Sequence, residues 1–444
     1  MPRRASFGWP VPTSWFAGLL ALAGLGLLAW PGHSWSAFWV TNAVLLAVFV
    51  ADGVACTSPR AIVVTREVAQ SVRVGDTTPL AWVVENRGAR SCRAMLTDAL
   101  WPSLGADRRS VTVSVGAHER LRVRTELNPS RRGRFPLDDV TVRVSGPLRL
   151  AVRQATTVVP GIIRVLPAYP SRHAVRRRVR LPRVPDVGLR SIRRVGAGTE
   201  FDQLREYRPG DDFRKIDWAT TLRMQRPIVK QYRTERNQTV VIMLDNGRTM
   251  AGTVGEVARV EHAMDAALGL ADAAIRMSDR VGMVCFDRQV RSLVAASSSR
   301  SHLGLVSEAM YLLEPDLAES AYTAAFSYAA SRFRRRSLYV VLTDLAEATI
   351  EQALLPALSI LVRTHVVVVA AVRDPVVSGW ARDSGTGWAS DVFRSAAAIA
   401  LVHQRERAAA RLRSAGAIVI DAEPGQLAVA VVDTYLDLKA SGRL

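Results

Sequence analysis

The chain opens on a long run of apolar positions: residues 5–51 contain no Asp, Glu, Lys or Arg. Two apolar stretches lie inside it, 14–30 and 36–51, parted by Pro31-Gly32-His33-Ser34-Trp35. A membrane helix needs about 20 mainly apolar residues, and with flanking aromatics each stretch reaches that length. Trp9 and Trp15 then mark one interface and Trp30, Trp35 and Trp39 the other, as an aromatic belt should. The pattern predicts a transmembrane helical hairpin over 1–56. Two other readings stand beside it. One is a cleaved signal peptide followed by a core segment. The other is a lipoprotein site at Val54-Ala55-Cys56, with Gly53 where a leucine is expected.

Beyond residue 60 the period changes to two. Val111, Val113 and Val115 alternate with Thr112 and Ser114, and Leu121 and Val123 with Arg120, Arg122 and Arg124. Val140, Val142 and Val144 alternate with Thr141 and Arg143. Such alternation predicts half-buried antiparallel strands, with turns at Asn86-Arg87-Gly88 and Arg131-Arg132-Gly133. About six to eight short strands over 57–166 predict an all-β sandwich of immunoglobulin or fibronectin type.

From residue 237 onward strand and helix patterns alternate. Compact apolar runs at 239–244, 281–286, 338–342 and 417–420 read as strands, and 258–278, 350–363, 390–414 and 425–438 as helices. The run 365–372 is almost unbroken β-branched sequence, the mark of a strand covered on both faces. The alternation predicts a doubly wound α/β domain over 237–444. Between the two folded regions, nine arginines at 171–194 face one acid, Asp186, and Pro182 and Pro185 oppose a helix. Residues 167–236 therefore read as an Arg-rich linker followed by a mixed-charge segment.

Composition sharpens this division. The 444 residues carry 59 Lys plus Arg against 40 Asp plus Glu, a net charge of +19, which points to an anionic partner. The charge is uneven: 18 cations to 9 acids at 53–170, 18 to 8 at 171–236, and 21 to 22 at 237–444. Arg3 and Arg4 precede the hairpin, and Arg60, Arg66 and Arg73 follow it, while its turn has none. The positive-inside rule then places both termini and the large soluble region in the cytoplasm. Arginines beside the inner leaflet suit anionic lipid, with a solvated face as the plain alternative. Nucleic acid is disfavoured, because 171–194 lacks interleaved aromatics and the C-terminal half is near neutral. Three lysines only, Lys215, Lys230 and Lys439, exclude a GxxxxGK[ST] loop. Cys56, Cys92 and Cys285 are too few for a disulfide framework or a zinc site and read as buried thiols. HExxH, CxxC, GxSxG and GxGxxG are absent and the seven histidines are scattered, so no catalytic motif is found.

In open α/β folds, sites lie beyond the C-terminal ends of the strands. Those ends read Leu244-Asp245-Asn246-Gly247-Arg248-Thr249 and Leu342-Thr343-Asp344-Leu345, with Ala321-Tyr322-Thr323 opening a helix between them. Two carboxylates and two hydroxyls make a hard, all-oxygen set of the kind Mg²⁺ takes; the plain alternative is a strand end that caps helices and binds nothing. The 237–444 region resembles a von Willebrand factor type A domain, whose metal-ion-dependent adhesion site uses Asp-x-Ser-x-Ser, a Thr and a second Asp. On that resemblance Asp245, Thr249, Thr323 and Asp344 would be metal ligands, possible for Mg²⁺. Gly247 falls at the first Ser and has no hydroxyl, so the site is degenerate and a water would fill the gap.

Residues 198–218 read GTEFDQLREYRPGDDFRKIDW, followed by Arg223 and by Ile228-Val229-Lys230-Gln231-Tyr232. This resembles the signature of the bacterial family called domain of unknown function 58, whose layout of hairpin, β-rich domain, signature and von Willebrand-like domain matches the whole chain. The mixed charges read first as a salt-bridged network that anchors Trp218. The sharper reading makes Asp211, Asp212, Arg214, Asp217 and Trp218 a partner-docking surface. The resemblance implies a companion, an AAA+ ATPase of the MoxR type, and a role in assembly or maturation of other proteins. The expectation is a membrane-anchored, non-enzymatic protein-interaction module. Two alternatives remain: a metal-assisted hydrolase or transferase using the acidic signature, and a membrane-tethered nucleic-acid binder acting through 171–194.

Overall fold

The structure is a computed structural model and describes residues 9–29, 35–180, 200–209, 211, 213–233, 238–382 and 389–444. The chain divides into two compact units, Met1–Leu166 and Pro167–Leu444.

In the first unit the apolar stretches form α1 (Ser14–Ala29) and α2 (Trp35–Ala55). They touch through Phe16 and Phe49, whose ring centroids lie 4.9 Å apart. Among the described residues one helical stretch, Trp35–Ala61, is long and apolar enough to cross a membrane. The 16 residues of α1 cover about 24 Å, short of a hydrocarbon core of about 30 Å. The expectation of two full spans therefore reduces to one candidate membrane helix near the N-terminus.

The strands that follow are β1 (Val11–Pro12), β2 (Ile62–Val68), β3 (Ser71–Arg73), β4 (Thr78–Asn86), β5 (Cys92–Asp98), β6 (Ser110–Val115), β7 (Arg120–Leu127), β8 (Gly133–Ser145) and β9 (Ala151–Leu166). One sheet runs β1-β9-β8-β5-β6 with β3 also on β9, and the other runs β2-β4-β7. Period-two sequence explains the layering. Leu80, Trp82 and Val84 of the smaller sheet share one buried cluster with Ala94, Leu96, Val140, Val142 and Ile163 of the larger. Arg66 does not lie on the polar face with the other strand arginines. It is buried, bonds Asp98 through Nε (2.9 Å) and Nη2 (2.7 Å), and donates to the Val159 carbonyl at 2.8 Å. Trp82 Nε1 completes the set by donating to Asp98 at 2.7 Å, so the two sheets are joined by a charge-assisted bond as well as by apolar packing.

Asp52, one turn before the end of α2, is also buried. Its carboxylate accepts from the backbone N–H groups of Leu148 (2.7 Å), Leu150 (2.8 Å) and Ala151 (2.8 Å). Thr13 meets the same turn, its hydroxyl donating to the Arg149 carbonyl at 2.7 Å. Chain segments at both ends of the helical pair are thus fixed to one turn of the larger sheet.

The second unit begins with α3 (Arg172–Arg180). This corrects the linker reading over those residues. Val175 is fully buried, Arg176 pairs with Asp272 at 3.1 Å, and the Ser171 hydroxyl donates to Asp265 at 2.8 Å. Residues 181–199, the rest of the predicted linker, lie outside the described residues. Next come β10 (Glu200–Glu206), α4 (Trp218–Met224) and β11 (Ile228–Arg233), with β10 and β11 paired antiparallel.

The α/β fold follows as β12 (Thr239–Asp245), α5 (Arg248–Ala251), the short ribbon β13 (Thr253–Val254) and β14 (Val257–Ala258), α6 (Arg259–Arg276), β15 (Arg280–Phe286), β16 (Val290–Ser297), α7 (His302–Met310), α8 (Tyr322–Arg332), β17 (Leu338–Leu342), α9 (Glu347–Thr349), α10 (Leu355–Val362), β18 (Val366–Val372), α11 (Pro375–Arg382), α12 (Ala389–Ser414), β19 (Ile418–Ala422) and α13 (Leu427–Ala440). The sheet order is β16-β15-β12-β17-β18-β19. All neighbours are parallel except β15 and β16. Alternate residues of β12 divide between two cores. Val240, Ile242 and Leu244 pack under α6, α7 and α13, and Val241 and Met243 under α8, α10 and the C-terminal half of α12. The doubly wound, mostly parallel sheet expected from the alternation is what the residues form.

Candidate functional site

The C-terminal end of β12 delivers Asp245 into the centre of the sheet edge, with no solvent exposure. Its Oδ1 accepts from the Gly247 N–H (2.9 Å) and the Ser320 hydroxyl (2.5 Å). Its Oδ2 accepts from the Tyr322 phenol (2.6 Å) and the Thr343 hydroxyl (2.6 Å). Burial, and then the Asp245 charge, hold the Tyr322 phenol well above its ordinary pKa, so it stays a donor. Gly247 is explained by the same cluster. A Cβ there would lie 2.0 Å from the Ser320 hydroxyl. The hydroxyl missing from the expected Asp-x-Ser-x-Ser pattern is thus supplied from another loop, by Ser320, and occupies the space a serine at 247 would need.

The other predicted ligands are placed elsewhere. Thr249, the second residue of α5, is half-buried, and Thr323, the second residue of α8, is exposed; neither hydroxyl bonds Asp245. Asp344, buried at the end of β17, takes its positive charge from arginine. Arg405 Nη1 donates to it at 2.7 Å, and Arg259 Nε lies 3.8 Å away. Arg405 also donates to the Val372 carbonyl (3.1 Å) and to Asp421 (2.9 Å). Burial works against the charge of Arg405, but Asp344 and Asp421 outweigh it and raise its pKa further. Among the described residues no group of three or more His, Cys, Asp or Glu is spaced to hold a metal ion. Asp245 has its acceptor positions filled by protein donors, and Asp344 has guanidinium partners, so this arrangement does not fit a directly bound Mg²⁺.

Ser320, Thr343, Arg259, Arg405 and Asp421 were not singled out by sequence. Thr343 had a signal, its place at a strand end beside Asp344. Arg405 had none, since it lies inside a long helix 61 residues away. Of these, Arg259 and Arg405 border a cleft of about 720 Å³ whose walls also include Asp344, Leu345, Glu347 and Arg373. Its acids are engaged: Glu347 accepts from Arg407 at 2.9 and 3.0 Å, and Glu351 pairs with Arg411.

The signature segment builds a separate platform on the β10–β11 hairpin. Asp211 accepts from Arg205 at 2.6 and 2.8 Å and from the Arg208 N–H at 2.8 Å. These bonds, that from Arg205 first, hold the Asp211 carboxyl below the ordinary Asp value. Asp217 caps α4 by accepting from the Thr220 N–H at 3.2 Å and pairs with Lys230 at 3.2 Å, and its carboxyl is lowered by the same two contacts. Asp212 lies outside the described residues, and Arg214 is exposed. The mixed charges of Asp211 and Asp217 therefore work within the platform. Four of its apolar side chains face outward: Phe213 is 70%, Trp218 66% and Leu222 80% exposed, and Met224 joins them at the end of α4, while Val229 of β11 is buried. Trp218 is presented to solvent rather than anchored. Trp218 and Leu222 lie one turn apart on α4, and Tyr207 stacks obliquely on Phe213, with centroids 5.4 Å apart.

Residues 203–379 match the family described as Protein of unknown function DUF58. The DUF58 match therefore opens inside β10, spans the platform and the strand ends of β12 and β17, and closes within α11. Over 107 residues the chain is 27% identical to Uncharacterized protein Rv1480 of Mycobacterium tuberculosis, covering 24% of this chain and 34% of the relative. The same figures hold for Uncharacterized protein Mb1516 of Mycobacterium bovis. The match thus takes in about a third of the length of these relatives. Among solved structures, the conserved hypothetical protein BatB from Bacteroides thetaiotaomicron is 16% identical, covering 46% of this chain and 100% of its own, with a TM-score of 0.29. The CARDB domain of a Pyrococcus furiosus protein is 14% identical, covering 24% of this chain and 87% of its own, with a TM-score of 0.18.

Proposed function

We propose that this protein is a membrane-anchored, non-enzymatic docking module that captures another protein through the signature platform. The observation that carries the reading is the outward apolar set Phe213, Trp218, Leu222 and Met224. It stands on a scaffold whose carboxylates Asp211 and Asp217 are already engaged. Exposed aromatic and aliphatic clusters rimmed by polar residues mark interaction surfaces, and Trp is prominent among residues that dominate interface energy. The same engagement argues against a hydrolase using these two acids.

In this reading the β unit is an immunoglobulin-like spacer and the α/β unit a von Willebrand factor A-like domain with a closed adhesion site. Asp245 and its hydroxyls hold three loops together there, and no metal takes part. The helical pair crosses the bilayer twice, the shorter α1 with local thinning of the membrane, and the soluble parts are cytoplasmic; support comes from the shared attachment of Thr13 and Asp52 to the turn 146–151. The partner is an AAA+ ATPase of the MoxR type, as the signature's resemblance implies, and the process is assembly or maturation of other proteins.

A photo-crosslinking residue at Leu222 in the full chain, irradiated in native membranes, tests this. The expected result is a discrete adduct with an ATPase that disappears in Trp218→Ser and persists in EDTA. An adduct equally strong from an exposed control position such as Ser414, or one unaffected by Trp218→Ser, overturns the platform as the docking face.

A further inference from the structure

The helices α11 and α12 form an arm that leaves several large apolar side chains exposed among the described residues. From Ser390 to Gln404, Ala398 is the only buried side chain, whereas Ala408, Ala409 and Leu412 in the C-terminal half pack into the core. At 1.5 Å per residue, the unburied part of α12 is about 24 Å long. Outward along the arm stand Val376, Trp380 (40% exposed), Val392, Phe393 (75% exposed), Ile399 and Leu401. Along the apolar part of α12 the charge is internally settled: Arg394 donates to Asp391 at 2.9 Å and lies 5.4 Å over the Trp380 ring, while α11 ends on the exposed Arg382. Between Asp391 and His403 the only charged residue is Arg394.

We infer that this arm lies in the interfacial region of the lipid bilayer, with Trp380 and Phe393 at the headgroup–acyl boundary. The inference rests on the membrane-anchored reading. The apolar stretch of the arm is too short to span a bilayer, but an apolar helix face with Trp and Phe is what buries at that boundary. The chain's own candidate membrane helix keeps a bilayer at high effective concentration for any apolar surface it carries. A charged partner surface would find little to pair with along the apolar part of α12, because Asp391 and Arg394 already satisfy each other. Insertion is therefore driven by apolar burial and does not require anionic lipid. This separates the arm from the arginine-rich segments, for which anionic headgroups are the expected ligand.

The test uses the full chain reconstituted in vesicles of phosphatidylcholine alone and of phosphatidylcholine with phosphatidylglycerol. Phe393→Cys carries an environment-sensitive nitrobenzoxadiazole label; the three native cysteines are buried, and labelled parent protein gives the background. The expected result is a blue-shifted emission, equal in both lipid mixtures and quenched by nitroxide-bearing acyl chains. A label at Ser414→Cys, on the exposed end of α12, should keep its emission in water. Emission at 393 at the water value, in protein that resists carbonate extraction, overturns the arm inference and leaves the anchor standing. A blue shift that vanishes at one chain per vesicle assigns the surface to a second copy and likewise overturns it. Protein released by carbonate overturns the anchor, and this inference with it.

Discussion

Gly247 and Ser320 are the residues at which sequence and structure inform each other most directly. Against the adhesion-site pattern, Gly247 is a lost hydroxyl. In the fold it is a vacated Cβ position into which Ser320 projects, 2.5 Å from Asp245. The hydroxyl beside Asp245 comes from a different loop, a placement no local spacing rule can see. Gly247 has φ −83°, so a serine there meets no dihedral objection; its main clash is with Ser320, with tighter-than-usual contacts to the Ala318 carbonyl at 3.2 Å and Asp245 at 3.3 Å. We expect Gly247→Ser to destabilise the α/β unit by about 1–3 kcal/mol, the usual cost of overpacking. Ser320→Gly alone should cost about 1.5–3 kcal/mol for the lost bond to a carboxylate. The double variant should recover most of the stability, because the new serine can then reach Asp245. A double-mutant cycle of chemical denaturation measures this coupling; simple additivity would mean that Ser320 does not fill the serine's place.

At the scale of elements, legibility followed burial pattern. The period-two runs became β6, β7 and β8, and the β-branched run at 365–372 became β18 with six fully buried residues. The helix expected at 390–414 is α12 within a residue. Misreadings arose where charge hid packing. Five arginines within 172–180 masked Val175, whose burial against α6 and α13 makes α3 a helix. In the platform, Asp211 and Asp217, read as part of a docking surface, are internal braces, and Phe213, Trp218, Leu222 and Met224 form the outward face. This has a pH consequence. Asp211 and Asp217 both have carboxyl pKa values below the ordinary one, so their contribution is complete above about pH 3.9 and is lost as pH falls through the lower folded values. Hydrogen-exchange protection over 204–230, corrected for the intrinsic pH dependence of amide exchange, should be unchanged from pH 7 to about 4.5 and fall below about pH 4, ahead of the central sheet. Arg205→Gln, which removes the larger cause at Asp211, should weaken that acid step. An exchange profile that loosens across neutral pH would contradict the assignment.

Taken as a whole molecule, the net charge of +19 turns from a statement about partners into one about internal wiring. Arg66 serves the junction of two sheets, Arg176 docks α3, and Arg405 answers Asp344 and Asp421, so several arginines counted as free surface charge are structural. The acids repeat the lesson at the junction of the apolar helix and the β unit. Asp52 read from sequence as the point where the uncharged run ends. In the fold it is the residue that ties α2 to the turn 146–151. Gly146 is part of that tie, since a Cβ there would lie 2.5 Å from the Asp52 carboxylate. Replacing Asp52 by Ala leaves three backbone N–H groups without their acceptor in a buried place, at a cost of about 3 kcal/mol or more, since bonds to a charged group exceed neutral ones. Asp52→Asn keeps one acceptor oxygen and should lose less. Both variants should still reach the membrane, because the apolar helix is unchanged. What should fail is the rigidity of the tie. Exchange of the Leu148, Leu150 and Ala151 amides is expected to rise strongly in Asp52→Ala and moderately in Asp52→Asn, while the β2–β4–β7 sheet stays protected. If those amides remain protected without Asp52, helix and sheet are held together by packing alone, and the carboxylate is not the joint.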